Sequence, residues 1–176
     1  MKPVHQLSIR NGMTINELLI SMRSVGVMGC GRLAQAADIL EQMIQDKKCT
    51  VFFGQAGALI PGGMRTILVD MLRKKYVDVF VTTGATLTHD LAEALGFPHE
   101  IGRHDGDDAT LHKQGKDRMW DSYMNNRVYE AMEDFFEKHW DVFCTAKTIR
   151  ELIFLIGSKV TDKNSLLRVA YEENIP

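Results

Sequence analysis

The segment Lys75–Gly96, KYVDVFVTTGATLTHDLAEALG, decides the fold of this chain. Its apolar run Val77–Val81 is rich in β-branched and aromatic residues, which is typical of a buried strand. The small and polar residues Thr82–Ala85 end that run, and Leu87–Leu95 then shows the apolar spacing of a helix. This order predicts a turn at the carboxyl end of a sheet strand. There, unpaired N–H groups and the helix dipole favour a ligand that carries negative charge.

The same pattern occurs once before this segment. Cys49–Gly54 predicts a strand, Gln55–Gly63 a turn of small residues, and residues 64–72 an amphipathic helix. Two consecutive units of this kind predict a parallel sheet with a right-handed crossover and with both turns at the same edge. We therefore predict an α/β fold, a Rossmann-like parallel sheet with flanking helices, and a ligand crevice between the two turns.

The rest of the chain predicts a loose N-terminal arm at residues 1–12 and one domain at residues 13–176. Outside the βα units, helices are predicted from a capping box at Thr14, and at residues 32–46, 127–136, 148–156 and 164–173. The glycine-containing residues 25–31 predict a connector, and Gly157 is predicted to end its helix. The polar stretch 99–118 predicts a loop or lid.

Composition narrows the class of protein. The chain has 176 residues, 45% of them hydrophobic and 25% charged, with a formal net charge of −2. These values indicate one globular domain and give no reason to expect nucleic-acid or membrane binding. Three scattered cysteines, no metal-ligand spacing and no signal peptide favour reduced thiols and a cytoplasmic location. The histidines and aspartates of 99–112 fit no zinc pattern, so no metal site is predicted.

The sequence resembles the deoxyhypusine synthase family, especially its archaeal and bacterial synthase-like branch. The similarity runs from about Met13 to Pro176. It is carried by VFFGQAGALIPGGMR (51–65), VDVFVTTGATLTHDLAEALG (77–96), DDATLHKQGKDRMWDSYMNN (107–126) and YEENIP (171–176). The resemblance implies a Rossmann-like aminobutyl transferase with NAD as cofactor. In that family NAD takes a hydride from spermidine, the imine passes to a lysine, and the four-carbon amine then moves to an acceptor.

The resemblance also implies partners. The acceptor is a lysine of the hypusine-carrying translation factor, or a small amine in homospermidine synthases of this fold. Members of the family assemble as tetramers with active sites across a subunit interface. We therefore expect a homo-oligomer, or a hetero-oligomer with a chain that carries the C-terminal half of the family fold.

Site residues are carried over from the family by position. Gly57, Ala58, Leu59, Ile60 and Pro61 match the first NAD-contacting turn, and Thr83, Gly84 and Ala85 match the second. Thr88 and His89 fall where some members carry two adjacent glutamates for the NAD ribose and the polyamine. A neutral histidine can accept a ribose hydroxyl or a proton, but it cannot supply the charge of two glutamates. The competing interpretation is a tight turn without a ligand and a histidine without a function.

No catalytic residue is nominated, because the family's lysine nucleophile lies in a C-terminal half that this sequence lacks. Our leading hypothesis is the NAD-binding part of a deoxyhypusine synthase-like transferase that is inactive alone and needs a complementary half. The alternatives are a non-catalytic scaffold or regulatory subunit of a full-length relative, and part of a homospermidine synthase-like enzyme.

Overall fold

The structure is a computed structural model that describes residues 2–176. The described chain forms two compact units, one up to Val51 and one from Phe52 to Pro176. The domain boundary predicted at residue 12 stays a prediction. None of the helices within residues 2–176 combines the length and the apolar composition that a membrane span requires.

The first unit contains two helices, α1 (Ile15–Val25) and α2 (Met28–Gln45). The predicted capping box is confirmed, since Thr14 and Glu17 each accept a hydrogen bond from the other's backbone N–H. The predicted connector at 25–31 is wrong beyond Val27, because Gly29 and Gly31 belong to α2. A Cβ on Gly31 would lie only 2.9 Å from the Cα of Gly26. The glycines therefore allow close packing of the two helix ends and do not form a loop.

The second unit begins with the two predicted βα units. Their elements are β1 (Phe52–Gln55), a short 3-10 turn (Gly57–Leu59), α3 (Arg65–Arg73), β2 (Val79–Thr82) and α4 (Gly84–Ala94). β1 and β2 pair in parallel, with Phe53 opposite Phe80 and Gln55 opposite Thr82. The predicted α/β class, with a parallel sheet and flanking helices, is confirmed.

The prediction of a loop or lid at 99–118 is wrong. This region contains β3 (Glu100–Ile101), α5 (Asp108–Lys113) and β4 (Lys116–Met119), and it is followed by β5 (Ser122–Asn125). The three strands form an antiparallel sheet in the order β3-β5-β4. They are short and polar, so they lack the apolar alternation that predicts a strand. Side-chain pairs contribute to the stability of this region instead. Arg118 of β4 donates two hydrogen bonds to Asp108, at 2.6 and 2.9 Å.

Four helices complete the unit. They are α6 (Val128–Lys138), α7 (Trp140–Phe143), α8 (Ile149–Lys159) and α9 (Leu166–Glu172). The predicted end of a helix at Gly157 is wrong, because α8 continues to Lys159 and buries this glycine. A Cβ at Gly157 would overlap the carbonyl oxygen of Leu167. Glycine is thus required where α9 crosses α8, and the helix tolerates it there.

Buried apolar side chains form three clusters in the second unit. The first contains Ile60, Leu68, Val69, Leu72, Val77, Leu166, Val169 and Ile175. The second contains Leu91, Phe135, Phe143, Val160 and Leu167, and the third contains Ala92, Met124 and Val128. Neighbouring residues of α9, Leu166 and Leu167, belong to different clusters, so this helix joins the packing around α3 to the packing around α4.

Candidate functional site

The two predicted turns meet beside the carboxyl ends of β1 and β2. The strands end at Gln55 and Thr82, which are opposite each other in the parallel ladder. The Thr82 hydroxyl donates a hydrogen bond to the carbonyl oxygen of Gln55 at 2.9 Å. This bond fixes the two strand ends side by side, so the segments that follow them leave the sheet at the same edge.

Gly57 makes the closest approach between the turns. A Cβ on Gly57 would lie 2.9 Å from the Cβ of Ala85 and 3.4 Å from the backbone nitrogen of Thr86. The first distance is shorter than carbon atoms tolerate, so the first turn can touch the start of α4 only because residue 57 is glycine. The pairing of the turns that the sequence predicted is thus present in the fold.

The N-terminus of α4 lies against the first turn. Thr83 caps the helix by accepting a hydrogen bond from the Thr86 N–H at 3.4 Å. Gly84 and Ala85 were predicted as turn residues, but they form the first helical turn and are exposed. Within residues 2–176, no acceptor is seen for their two N–H groups. A Cβ on Gly84 would meet nothing within 4 Å, so there is open space beside these donors.

The first turn presents backbone more than side chains. Gly57 is partly buried, while Ala58 and Leu59 are exposed in the 3-10 turn. Ile60 is only 3% exposed, and its side chain belongs to the first core cluster, with the half-buried Pro61 after it. Ile60 therefore anchors the turn to the core, and the groups available to a ligand are those of the exposed residues before it.

Thr88 and His89 occupy the second turn of α4. The Thr88 hydroxyl donates a hydrogen bond to the Gly84 carbonyl at 3.0 Å, so its proton is committed to the helix. His89 lies four residues after Ala85 and therefore on the same face of α4 as that residue. Its Nδ1 is 3.0 Å from Nε2 of His99, a residue that precedes β3.

Glu93 completes a chain of three polar side chains with these histidines. Its carboxylate accepts hydrogen bonds from Nδ1 of His99 at 2.6 Å and from the His99 backbone N–H at 3.0 Å. The contact with the carboxylate places a proton on Nδ1 of His99. A neutral His99 then accepts at Nε2 from Nδ1–H of His89, which leaves Nε2 of His89 as a hydrogen-bond acceptor.

The environment of His89 favours its neutral form. Burial lowers the pKa of His89 from its ordinary value of 6.5, and a proton gained by the neighbouring His99 would lower it further. Sequence reasoning singled out His89 but missed Glu93 and His99. The spacing of four residues between His89 and Glu93 on one helix was the available signal.

Asp90 was also missed, although it determines where α9 lies. Its buried carboxylate accepts hydrogen bonds from the Ser165 hydroxyl at 2.6 Å and from the N–H groups of Leu166 and Leu167 at 2.9 and 3.0 Å. Arg65 of α3 donates to the same carboxylate at 2.8 Å. An acid three residues after Leu87, on the apolar face of a predicted helix, was the signal that it has buried partners. Asp90 thus joins α3, α4 and α9 behind the crevice.

The other histidines and acids of 99–112 are dispersed. Asp107 caps α5 by accepting from the Thr110 N–H at 2.8 Å, and the ring of His104 lies beside that of Trp120. In the part of the chain that the structure describes, no group of three or more His, Cys, Asp or Glu side chains could hold a metal ion. The site described above combines two touching turns, the N–H donors at the start of α4 and a histidine whose environment favours the neutral form.

The parallel βα arrangement, with both turns at the carboxyl ends of its strands, defines a Rossmann-like α/β protein. The chain belongs to the deoxyhypusine synthase family, since the sequence profile described as "Deoxyhypusine synthase" matches residues 17–176. Among similar proteins are two described as probable deoxyhypusine synthases. The one from Methanosarcina thermophila is 38% identical over 99% of this chain and 55% of its own length. The one from Methanothermobacter thermautotrophicus is 36% identical over 98% of this chain and 57% of its own length.

The fold is also similar to a crystal structure of a deoxyhypusine synthase candidate from Entamoeba histolytica. The TM-score is 0.61 at 18% identity, and the match covers 93% of this chain and 59% of that one. At 18% identity, this similarity is evidence for the fold alone. The chain spans about half the length of the curated relatives that it matches, 55% and 57% of the two named above.

Proposed function

We propose that this chain is the NAD-binding part of a deoxyhypusine synthase-like aminobutyl transferase. The observation that carries the proposal is the contact of the Gly57 turn with Ala85 at the N-terminus of α4, in a chain of this family. It joins two exposed backbone segments into one crevice that opens beside unpaired N–H donors. Such a crevice at the carboxyl ends of parallel strands suits the phosphates and ribose of a dinucleotide.

The residues of the crevice divide the binding of NAD between them. The N–H groups of Gly84 and Ala85 would donate to a phosphate, with the positive end of the α4 dipole behind them. Nε2 of His89 would accept a hydrogen bond from a ribose hydroxyl. Thr88 would accept a hydrogen bond from the donor amine at its hydroxyl oxygen, because the hydroxyl proton is donated to the Gly84 carbonyl and the oxygen can still accept. NAD, when bound, supplies the acceptor for a hydride from the donor.

The remainder of the reaction requires the C-terminal half of the family fold. The chain spans about 55% of its relative from Methanosarcina thermophila, and the resemblance assigns the lysine nucleophile to the other part. In the proposed complex, spermidine is the donor, and the acceptor is a lysine of the hypusine-carrying translation factor or a small amine. We propose a cytoplasmic oligomer, homomeric or formed with the complementary chain, because the family builds its sites across an interface.

The test combines calorimetry with an assay for NADH. NAD is titrated into the chain alone and into the chain mixed with the C-terminal part of the Methanosarcina thermophila relative. We expect NAD to bind and spermidine-dependent NADH to form in the mixture. NADH formation by the chain alone at enzymatic rates would contradict the need for a complementary part. Absence of NAD binding in both samples would favour the scaffold or regulatory alternative.

A further inference from the structure

One face of α2 carries apolar residues in a regular order. They recur at intervals of four and three along the helix, which is the heptad spacing of a coiled-coil seam. Leu33 is 54% exposed and Leu40 is 45% exposed on this face, and Ile39 beside them is 49% exposed. The face is called here the α2 seam. Its residues at heptad spacing are Gly29, Leu33, Ala36, Leu40 and Met43, and Ile39 flanks them.

The other helix of the hairpin leaves this seam uncovered. Arg23 of α1 forms an ion pair with Asp38, which lies on the side of α2 opposite to the seam. In residues 15–25 and 28–45, all of which the structure describes, Ala34 is the one buried residue. Two helices with so small a core gain little from packing against each other alone, so burial of the seam would stabilise them.

We propose that the α2 seam binds the α2 seam of a second copy of this chain, in an antiparallel pair around a two-fold axis. In this register Leu33 of one copy lies opposite Met43 of the other, and Ala36 lies opposite Leu40. The small side chain of Ala36 leaves room for Leu40, so large and small residues alternate along the interface. A parallel pair would instead set Ala36 against Ala36 and Gly29 against Gly29, and would leave gaps in the packing.

The antiparallel register also brings opposite charges together. Ile39 lies on the two-fold axis and meets the same residue of the second copy. Arg32 precedes Ile39 by seven residues and Asp46 follows it by seven, so Arg32 of each copy faces Asp46 of the other. Both side chains are exposed, and neither has an ion-pair partner among residues 2–176. The seam is complementary to itself in size and in charge, which favours a second copy over an unrelated partner.

Sedimentation of the full chain over a range of concentrations tests the pairing. We expect dimers that dissociate on dilution. Ile39→Asp should raise the dissociation constant at least about tenfold, because two carboxylates would meet on the axis. Ile20→Asp is the matched control, since Ile20 is 48% exposed on α1 and lies outside the seam. It should associate as the unmodified chain does, and circular dichroism should show the same helix content in both variants.

An exchange of charges tests the register. Arg32→Glu and Asp46→Arg each set like charges opposite one another at two places, so each variant alone should dimerise at least about fivefold more weakly. An equal mixture of the two variants restores both pairs of opposite charge. We therefore expect the mixture to associate as tightly as the unmodified chain does, which a parallel pair would not do.

Three results would overturn the α2 seam as an interface between copies. They are a chain that stays monomeric at every concentration, equal effects of Ile39→Asp and Ile20→Asp, and a mixture of charge variants that associates no better than either variant. A monomeric chain whose Ile39→Asp variant loses binding to the C-terminal part of the Methanosarcina thermophila relative would identify a different occupant. The pairing involves neither NAD nor the crevice, so NAD binding remains a separate result that tests the proposed function.

Discussion

The Nδ1 atom of His89 and the Nε2 atom of His99 lie 3.0 Å apart, with Glu93 bound to the far side of His99. The pair links the helix that opens at the crevice to the segment before β3. Because the carboxylate fixes the proton on Nδ1 of His99, it also determines which nitrogen of His89 can meet a ligand. Glu93, which sequence reasoning did not single out, thus controls the hydrogen bonding of His89, which it did.

The first prediction concerns the pH dependence of stability. The pKa of His89 is lowered mainly by burial, with a smaller electrostatic effect of His99, so the unfolded chain binds a proton at higher pH than the folded chain does. The free energy of unfolding should therefore fall as the pH drops below about 6.5, until the pKa of the folded state is reached. Urea midpoints across this range should show the slope, and His89→Gln should reduce it.

His112→Gln is the control for that experiment, since His112 is exposed on α5 and should leave the slope unchanged. Nitrogen-15 spectra of the imidazoles give a second measurement. We expect His89 with its proton on Nδ1 and His99 with its proton on Nδ1. The opposite tautomer of His89 would contradict the assigned role of Glu93.

The second prediction is that Asp90→Asn destabilises the fold by about 3 kcal/mol. The substitution removes a buried negative charge that faces the Arg65 guanidinium and the N-terminus of α9. Asp162 also pairs with Arg65, at 3.0 Å, so part of the compensation remains. Denaturant midpoints provide the measurement. Asp105→Asn removes an exposed ion pair with Arg103 and should leave the midpoint in place. Equal midpoints for the two variants would contradict this account.

The third prediction compares two helical glycines. Gly157→Ala should cost about 2 kcal/mol, because its methyl group would overlap the Leu167 carbonyl and press on Tyr171. Gly29→Ala in α2 meets nothing within 4 Å and should stabilise the chain by about 0.5 kcal/mol. Thermal and denaturant unfolding of both variants would show the difference. If Gly157→Ala left the free energy of unfolding unchanged, α8 and α9 would have to move apart without any loss of stability.

The fourth prediction concerns the crevice. Gly57→Ala would bring two Cβ atoms to 2.9 Å, so the first turn must move away from Ala85. We expect the affinity for NAD to fall at least about tenfold, because the two segments that hold the dinucleotide would separate. Gly54→Ala, where a Cβ meets nothing within 4 Å, should bind NAD as the unmodified chain does. Calorimetry provides the comparison. It is carried out on whichever sample binds NAD, either the chain alone or the chain mixed with the complementary part.

Local patterns explain what could be predicted. The two βα units were predicted from apolar runs and the turns between them, and the capping box at Thr14 from a four-residue motif. These features depend on neighbours in sequence. The strands β4 and β5 were not predicted, because their stability comes from side-chain pairs such as Arg118 with Asp108 rather than from an apolar face.

The sequence by itself determined the parallel βα arrangement, the two glycine-containing turns and the position of His89 on α4. Only the tertiary structure decided that Asp90 binds Ser165, 75 residues away, that Gly157 is a packing glycine, and that His99 and Glu93 orient His89. Contacts between residues far apart in the chain cannot be predicted from local periodicity, since each partner taken alone is an ordinary polar or small residue. The chain must fold before these residues meet, and their arrangement sets the chemistry of the crevice.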